Sequence, residues 1–261
     1  MLKTYVLNLD RHSDRMQCMR SQLERTNLDW QRFSGIDALA VDSEFLDKLV
    51  ANRGPIPRMP IGARACTAGH FLILKDFIAS EATHALILED DVLLAWNLAT
   101  LLPDIVESYG GGILNISRQI PSGNTKKLIV RRGDLQRNGF HFPELVSIHY
   151  SGAGYLVDKD AAKTVLELFK IPDMPIDHIL FNPNVSKIRK HVSVRQLFPA
   201  LVQPRTNLVS SIQTLPVAGS NSLKNRIKRA KAEISIVPRL LVGLALGRYQ
   251  VLQLDCVEPV E

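Results

Sequence analysis

The segment Ala85-Leu86-Ile87-Leu88-Glu89-Asp90-Asp91 runs four apolar residues straight into three carboxylates, and it constrains the fold more than any other stretch of the chain. An apolar run this short, without alternation, fits a strand covered on both faces, which requires a sheet with helices packed on either side. The acids then emerge at the strand's C-terminal edge, where open α/β sheets hold their ligands. Three adjacent carboxylates repel unless a cation or water separates them. A hard divalent ion, Mn²⁺ or Mg²⁺, takes oxygen ligands and commonly sits between carboxylates and substrate phosphates, so the pattern points to a substrate with a diphosphate. Acids that end a strand also serve as solvated loop starts or helix caps, and this segment alone leaves both readings open.

The 261 residues are enough for one large α/β domain or two small ones with a real core. Cys18, Cys66 and Cys256 lie far apart, in no CxxC or Cys/His spacing, which implies neither a disulfide framework nor a zinc site and fits a reducing cytosol. Met1 to Asp10 has too short an apolar run for a signal peptide and reads as a first strand. No stretch has the roughly eighteen uninterrupted apolar residues of a spanning helix.

The net charge of +6 is concentrated. Ser222 to Lys231 holds five cations and no acid, and Leu223, Ile227, Ala230 and Ile234 recur at helical spacing beside them. A basic amphipathic helix suits an anionic membrane surface, and a C-terminal helix packed on the domain with its lysines in water is the competing reading. The apolar segment that follows, Ile234 to Leu246, is broken by Pro238 and Arg239 and is too short to cross a bilayer. Nucleic acid is not an expected partner, since the basic run lacks interleaved aromatics.

Strand-like and helix-like runs alternate through the first half, the pattern of a βαβ-built sheet. Tyr5 to Leu9 reads as a strand, followed by a helix from Ser13 with Met16, Met19 and Leu23 on one face, and by a strand from Trp30 to Ile36. Three prolines between Gly54 and Pro60 make a loop. A helix over Cys66 to Ile78 leads into the acidic strand, and another covers Leu98 to Tyr109, ended by Gly110-Gly111-Gly112. Strands are expected at Ile113 to Ile116, Leu128 to Val130 and Val146 to His149, and Gly152 and Gly154 flank a turn before Tyr155-Leu156-Val157. Asp158 or Asp160 caps a helix to Phe169, which Pro172 stops.

Four segments in this order carry a resemblance: Tyr5-Val6-Leu7-Asn8-Leu9-Asp10-Arg11 with Asp14-Arg15; Gly69-His70; Leu86 to Asp91; and Gly152-Ala153-Gly154-Tyr155 followed by Pro175-Ile176-Asp177-His178. Together they resemble the bacterial lipooligosaccharide glycosyltransferases of glycosyltransferase family 25, whose relatives include the collagen galactosyltransferases. The resemblance spans roughly residues 1 to 215. It implies a GT-A-like, single Rossmann-type α/β domain with a mixed central sheet flanked by helices, with 216–261 as a basic C-terminal extension. It further implies a metal-dependent, inverting transferase that moves a hexose, galactose above others, from a UDP-sugar to a lipooligosaccharide or lipopolysaccharide saccharide. Such an enzyme would work in the cytoplasm, peripheral to the inner face of the cytoplasmic membrane, through residues 222–248.

Within that resemblance Asp91 and Asp90 are the metal candidates, with Asp91 favoured, and Glu89 holds the nucleotide sugar or faces the sheet. Asn8 can read a base or ribose, while Arg11 and Arg15, four apart at a helix start, can face a phosphate together or form surface pairs with Asp10 and Asp14. Asp177 is the candidate base for the acceptor hydroxyl, with helix N-cap as its alternative. His70 and His149 are weaker candidates, because a lone histidine on an apolar helix face is commonly a packing residue. The family usually has serine where this chain has Gly69. Gly152 and Gly154 let the backbone approach the sugar or simply make a turn, and Tyr155 suits core or site. A metal-dependent phosphoesterase and a noncatalytic sugar-binding protein on the same fold remain the rival classes.

Overall fold

The computed structural model describes residues 1–26, 28–52, 54–55, 59–118, 127–133, 136–205, 230 and 235–259. Strand β1 (Leu2–Asn8) is buried from Thr4 onward, and helix α1 (Ser13–Thr26) covers one of its faces with Met16, Met19 and Leu23. Met19 and Leu23 are fully buried, each worth about 1.5–3 kcal/mol relative to exposure. Strand β2 (Gln31–Ser34) then pairs with β1 in parallel. Helix α2 (Ser43–Leu49), capped by the Asp42 side chain, lies outside the expected elements.

Helix α3 (Ile61–Ala79) begins five residues before Cys66, directly after Pro60, which occupies its N-cap position. It leads into β3 (His84–Glu89), the acidic strand, which pairs in parallel with β1. After β4 (Val92–Leu94) and α4 (Leu98–Ser108) comes β5 (Ile113–Asn115). Strand β6 (Lys127–Arg131) and the hairpin of β7 (Gln136–Arg137) and β8 (Phe140–His141) lie beside the main sheet. Strand β9 (Gly154–Asp158), helix α5 (Lys159–Leu168), helix α6 (Ile176–Phe181), β10 (Val194–Gln196) and β11 (Val202–Pro204) follow. The Asp158 carboxylate caps α5 by accepting from the Ala161 N–H.

The central sheet has six strands in the order β10-β5-β9-β3-β1-β2. It is mixed, because β9 runs antiparallel to both β3 and β5 while the other pairs are parallel. Register and pleat together sort the core into two layers. Tyr5, Ile87 and Tyr155 align across β1, β3 and β9 and pack with Phe71, Phe77 and Phe181 from α3 and α6. Val6, Leu86, Leu88 and Leu156 point the other way, onto α1 and α4 through Met19, Leu98 and Leu102. The sheet is therefore covered on both faces, as the unalternated apolar run requires.

Two local expectations change. Val146 to His149 is not a strand; the N–H groups of Val146 and Ser147 both donate to the Ile129 carbonyl, which bends the chain away from a ladder. Gly154 does not flank a turn but opens β9, and an added Cβ there would lie 3.0–3.1 Å from Val202 side-chain atoms.

The basic run of Ser222 to Lys231 lies outside the described residues except for Ala230. From Ser235 the chain packs on the body: helix α7 (Val237–Ala245) buries Leu240, and β12 (Tyr249–Gln253) pairs antiparallel with β6. Leu254 joins the main core. Gly243 permits the contact between α7 and β12, since a Cβ there would fall 2.0 Å from the Tyr249 ring. The outer side of α7 leaves Leu241, Val242 and Leu246 exposed. Among the described residues no helix is long and apolar enough to cross a membrane.

Candidate active site

The pleat separates the three acids. Alternation along β3 sends Glu89 to the side of Ile87, toward α3, and Asp90 to the side of Leu88, toward α1, while Asp91 lies just beyond the strand end. Strand β1 ends beside them, because Leu7 pairs with Glu89 in the parallel register. The result is a cleft of about 680 Å³, open solvent included, lined among others by Asn8, Arg11, Arg15, Cys66, Glu89, Asp90 and Asp91.

Asp90 is buried and faces inward. Its Oδ2 accepts from Asn8 Nδ2 at 2.6 Å, and its Oδ1 lies 3.4 Å from Arg15 Nη1. Burial raises the Asp90 carboxyl, while the Asn8 and Arg15 donors oppose that shift. Asn8 is itself buried: its Nδ2 also donates to the His12 carbonyl at 3.0 Å, and its Oδ1 accepts from Arg32 Nε at 2.8 Å. Arg32 continues the chain of contacts to Asp10, which also accepts from Ser34 Oγ at 2.8 Å.

Arg15 lies 3.7 Å from Asp91 Oδ2 as well as beside Asp90, whereas Arg11 pairs with Asp37 at 3.0 Å. Both arginines line the cleft. Asp91 keeps a side chain 29% exposed. Burial, then the charges of Glu89 and Asp90, push its carboxyl up to about 7. A carboxylate crowded by like charge at a cleft wall suits a divalent cation, which offsets the repulsion and accepts oxygen ligands. Asp91 and its neighbours therefore fit such an ion, with Asp91 the more available donor because the Asp90 oxygens already face Asn8 and Arg15.

On the α3 side, His70 is fully buried, its Nδ1 3.0 Å from the Tyr155 hydroxyl and its Nε2 3.4 Å from Glu89 Oε1. Cys66, one turn earlier on the same helix, lies with Sγ 3.9 Å from that oxygen. Cys66 and Arg32 carried no motif in the sequence, and only their positions in the fold join them to the site. Gly69 sits against β1, where an added Cβ would lie 3.0 Å from Leu7 Cδ1, so a serine here would press on that side chain.

Asp177 lies on α6, which is pinned to α3 by the Ile176 N–H donating to Thr67 Oγ1 at 3.1 Å. It is not the N-cap of α6; Pro175 holds that position. The Asp177 Oδ1 accepts from the His178 N–H at 2.9 Å, and burial pushes its carboxyl above the usual range, with Glu89 adding to the shift. Gly152 lets the β9 approach pass close to α6, since a Cβ there would meet Ile176 Cγ2 at 3.1 Å and the Asp177 nitrogen at 3.9 Å. Neither Gly152 nor Gly154 has the positive φ that would demand glycine for a turn. His149 is buried away from these acids, with Nδ1 3.2 Å from Asn115 Nδ2 and its ring edge-on to Phe181.

Known proteins share this chain's pattern. It is 26% identical over 179 residues to the lipooligosaccharide biosynthesis protein lex-1 of Haemophilus influenzae, covering 65% of this chain and 59% of that one. It is 24% identical over 232 residues to the lacto-N-neotetraose biosynthesis glycosyltransferase LgtE of Neisseria meningitidis, covering 83% and 80%. A glycosyltransferase 25 family member from Aedes aegypti is 25% identical over 210 residues, and the match spans a third of its length. Among solved structures, Staphylococcus aureus TarS in complex with UDP-GlcNAc aligns over 94% of this chain and 75% of that one, at 11% identity and a TM-score of 0.44. The central sheet is mixed and covered by helices on both faces, the α/β arrangement the sequence implied. The model of glycosyltransferase family 25 (LPS biosynthesis protein) matches residues 1–180, more than half the chain, and with the ordered acids of β3 this places the protein in that family.

Proposed function

We propose that the protein is a metal-assisted, inverting glycosyltransferase that moves a hexose, specifically galactose, from a UDP-sugar to a saccharide of a growing lipooligosaccharide. The observation that carries this reading is the division of the acids: Asp91 faces an open cleft, Asp90 is held inside by Asn8 and Arg15, and Asp177 stands on a separate element near Glu89. Support also comes from family membership and from the names of the relatives.

In this reading Asp91, with Asp90 behind it, would hold Mn²⁺ or Mg²⁺, and the ion supplies Lewis-acid stabilisation to the charge that collects on the departing diphosphate. Arg15 and Arg11 orient the diphosphate from the start of α1. Glu89, on the cleft wall, bounds the sugar. Asp177 Oδ accepts the proton of the acceptor hydroxyl as that oxygen attacks opposite the leaving group; its burial raises its basicity toward the working pH. The exposed Leu241, Val242 and Leu246, with Arg239 and Arg248 nearby in sequence and the basic run before them, support peripheral contact with an anionic inner-membrane surface.

A screen of UDP-sugars for manganese-dependent transfer tests the donor class. Asp91→Asn is expected to lower transfer by at least two orders of magnitude, a scale in line with lost charge stabilisation at a leaving group. Full transfer by that variant with manganese present would remove the metal assignment.

A further inference from the structure

We propose that Cys66, His70 and Glu89 form a second cation site, selective for a thiophilic ion of the zinc class and separate from the Asp91 corner. Among the described residues these are the His, Cys, Asp and Glu side chains whose ligand atoms come together in a group of three, all within 4.8 Å of one another. Cys66 and His70 are four residues apart on α3 and share a helix face, and Glu89 meets them from the end of β3.

The separations are close to those around a bound ion. With a Zn–S distance of about 2.3 Å and Zn–N or Zn–O of about 2.0 Å, tetrahedral edges come to about 3.3 Å for N···O and about 3.5 Å for S···O. The observed values are 3.4 Å for His70 Nε2 to Glu89 Oε1 and 3.9 Å for Cys66 Sγ to the same oxygen. A small rotation of the cysteine side chain closes the difference.

The histidine supplies an independent pointer. His70 is fully buried, and its Nε2 has no hydrogen-bond partner although it is aimed at the glutamate. A buried, unpaired ring nitrogen costs free energy unless something occupies its lone pair or takes its proton. Its other nitrogen, Nδ1, is bonded to the Tyr155 hydroxyl at 3.0 Å, the outer contact that metal-bound histidines characteristically make to fix tautomer and ring orientation. Burial first, and then the negative charges of Glu89, Asp177, Asp91 and Asp90, hold the Cys66 thiol well above its usual range, and those carboxylates favour a cation beside it. The donor set of one sulfur, one imidazole and one carboxylate prefers zinc over manganese or magnesium, and two of its members, Cys66 and Glu89, line the cleft.

Cobalt serves as the spectroscopic probe. The full chain, freed of metal, is expected to bind Co²⁺ with a thiolate-to-metal charge-transfer band that saturates at one equivalent of the Cys66 site and that Zn²⁺ abolishes by displacement. Cys66→Ser should remove the band, while Cys18→Ser and Cys256→Ser retain it. Absence of the band, or its survival in Cys66→Ser, overturns the site. Should Cys66→Ser fail to fold, the unaltered protein still decides the question: micromolar Zn²⁺ should slow alkylation of Cys66, mapped by mass spectrometry, by about tenfold or more, and Mn²⁺ should not. Equal alkylation with and without zinc refutes the proposal whatever the outcome of transferase assays, so it stands or falls apart from the proposed activity.

Discussion

Asn8→Ala tests the architecture around the acids most directly, because a single buried amide joins three elements. Its side chain makes three hydrogen bonds: to Asp90 Oδ2 at 2.6 Å, to the His12 carbonyl at 3.0 Å, and from Arg32 Nε at 2.8 Å. The bond to the Asp90 carboxylate is charge-assisted and buried, worth roughly 2 kcal/mol; the neutral bond adds about 1, and the half-exposed Arg32 contact less. The expected loss is about 3 kcal/mol, or roughly 6–12 °C in Tm for a chain of this size. Urea denaturation of Asn8→Ala, Asp90→Ala and the double variant would give the loss and the coupling, which should be about 1.5–2 kcal/mol. A loss under about 1 kcal/mol, or additive single variants, would refute the view that Asn8 is the tie between β1 and the acidic strand.

Asp177→Asn should leave UDP binding, measured by calorimetry, within about twofold of the parent, while transfer falls by about 10²–10⁴. Its Tm should not drop, because Asp177 is not the cap of α6 and its carboxyl is raised by burial, so neutralising it removes no favourable charge. Asp76 is held below the usual carboxylate range, first by the Tyr5 hydroxyl at 2.6 Å and then by Lys3. A depressed folded pKa gives stability above the unfolded value that disappears as pH falls through the folded one, so Tyr5→Phe should flatten that acid limb in Tm-against-pH curves. An unchanged limb would count against the Tyr5 contact. Leu241→Asp with Leu246→Asp should cut binding to anionic vesicles by at least about tenfold without changing Tm, since both side chains already face solvent. Equal vesicle binding would end the membrane reading.

The parts of the fold set by local period were legible. The spacing of Met16, Met19 and Leu23 located α1, and the unalternated run before Glu89 located β3 and its two-sided burial. What depended on long-range pairing was not. Nothing in Gly154 to Asp158 states that β9 inserts antiparallel between β5 and β3, and the short run at Lys127–Arg131 finds its partner about 120 residues later in β12. The early start of α3 was hidden by Gly62 directly behind the Pro-rich loop. The site shows the same division. Asp90, Asp91, Arg15 and Asn8 could be singled out because a motif orders them. Arg32 and Cys66 could not, since they join the acids only through sheet register and helix phase.

The pairing of β12 with β6 has a consequence for how the chain is made. The six strands of the central sheet all lie at or before Gln196, yet Leu254 fills the same core and β12 covers β6. A nascent chain on the ribosome therefore completes its sheet while an apolar seam along Leu128 and Val130 still waits for a segment not yet synthesised. Chaperone capture of stalled chains and intolerance of truncation near Leu254 should both concentrate on that seam.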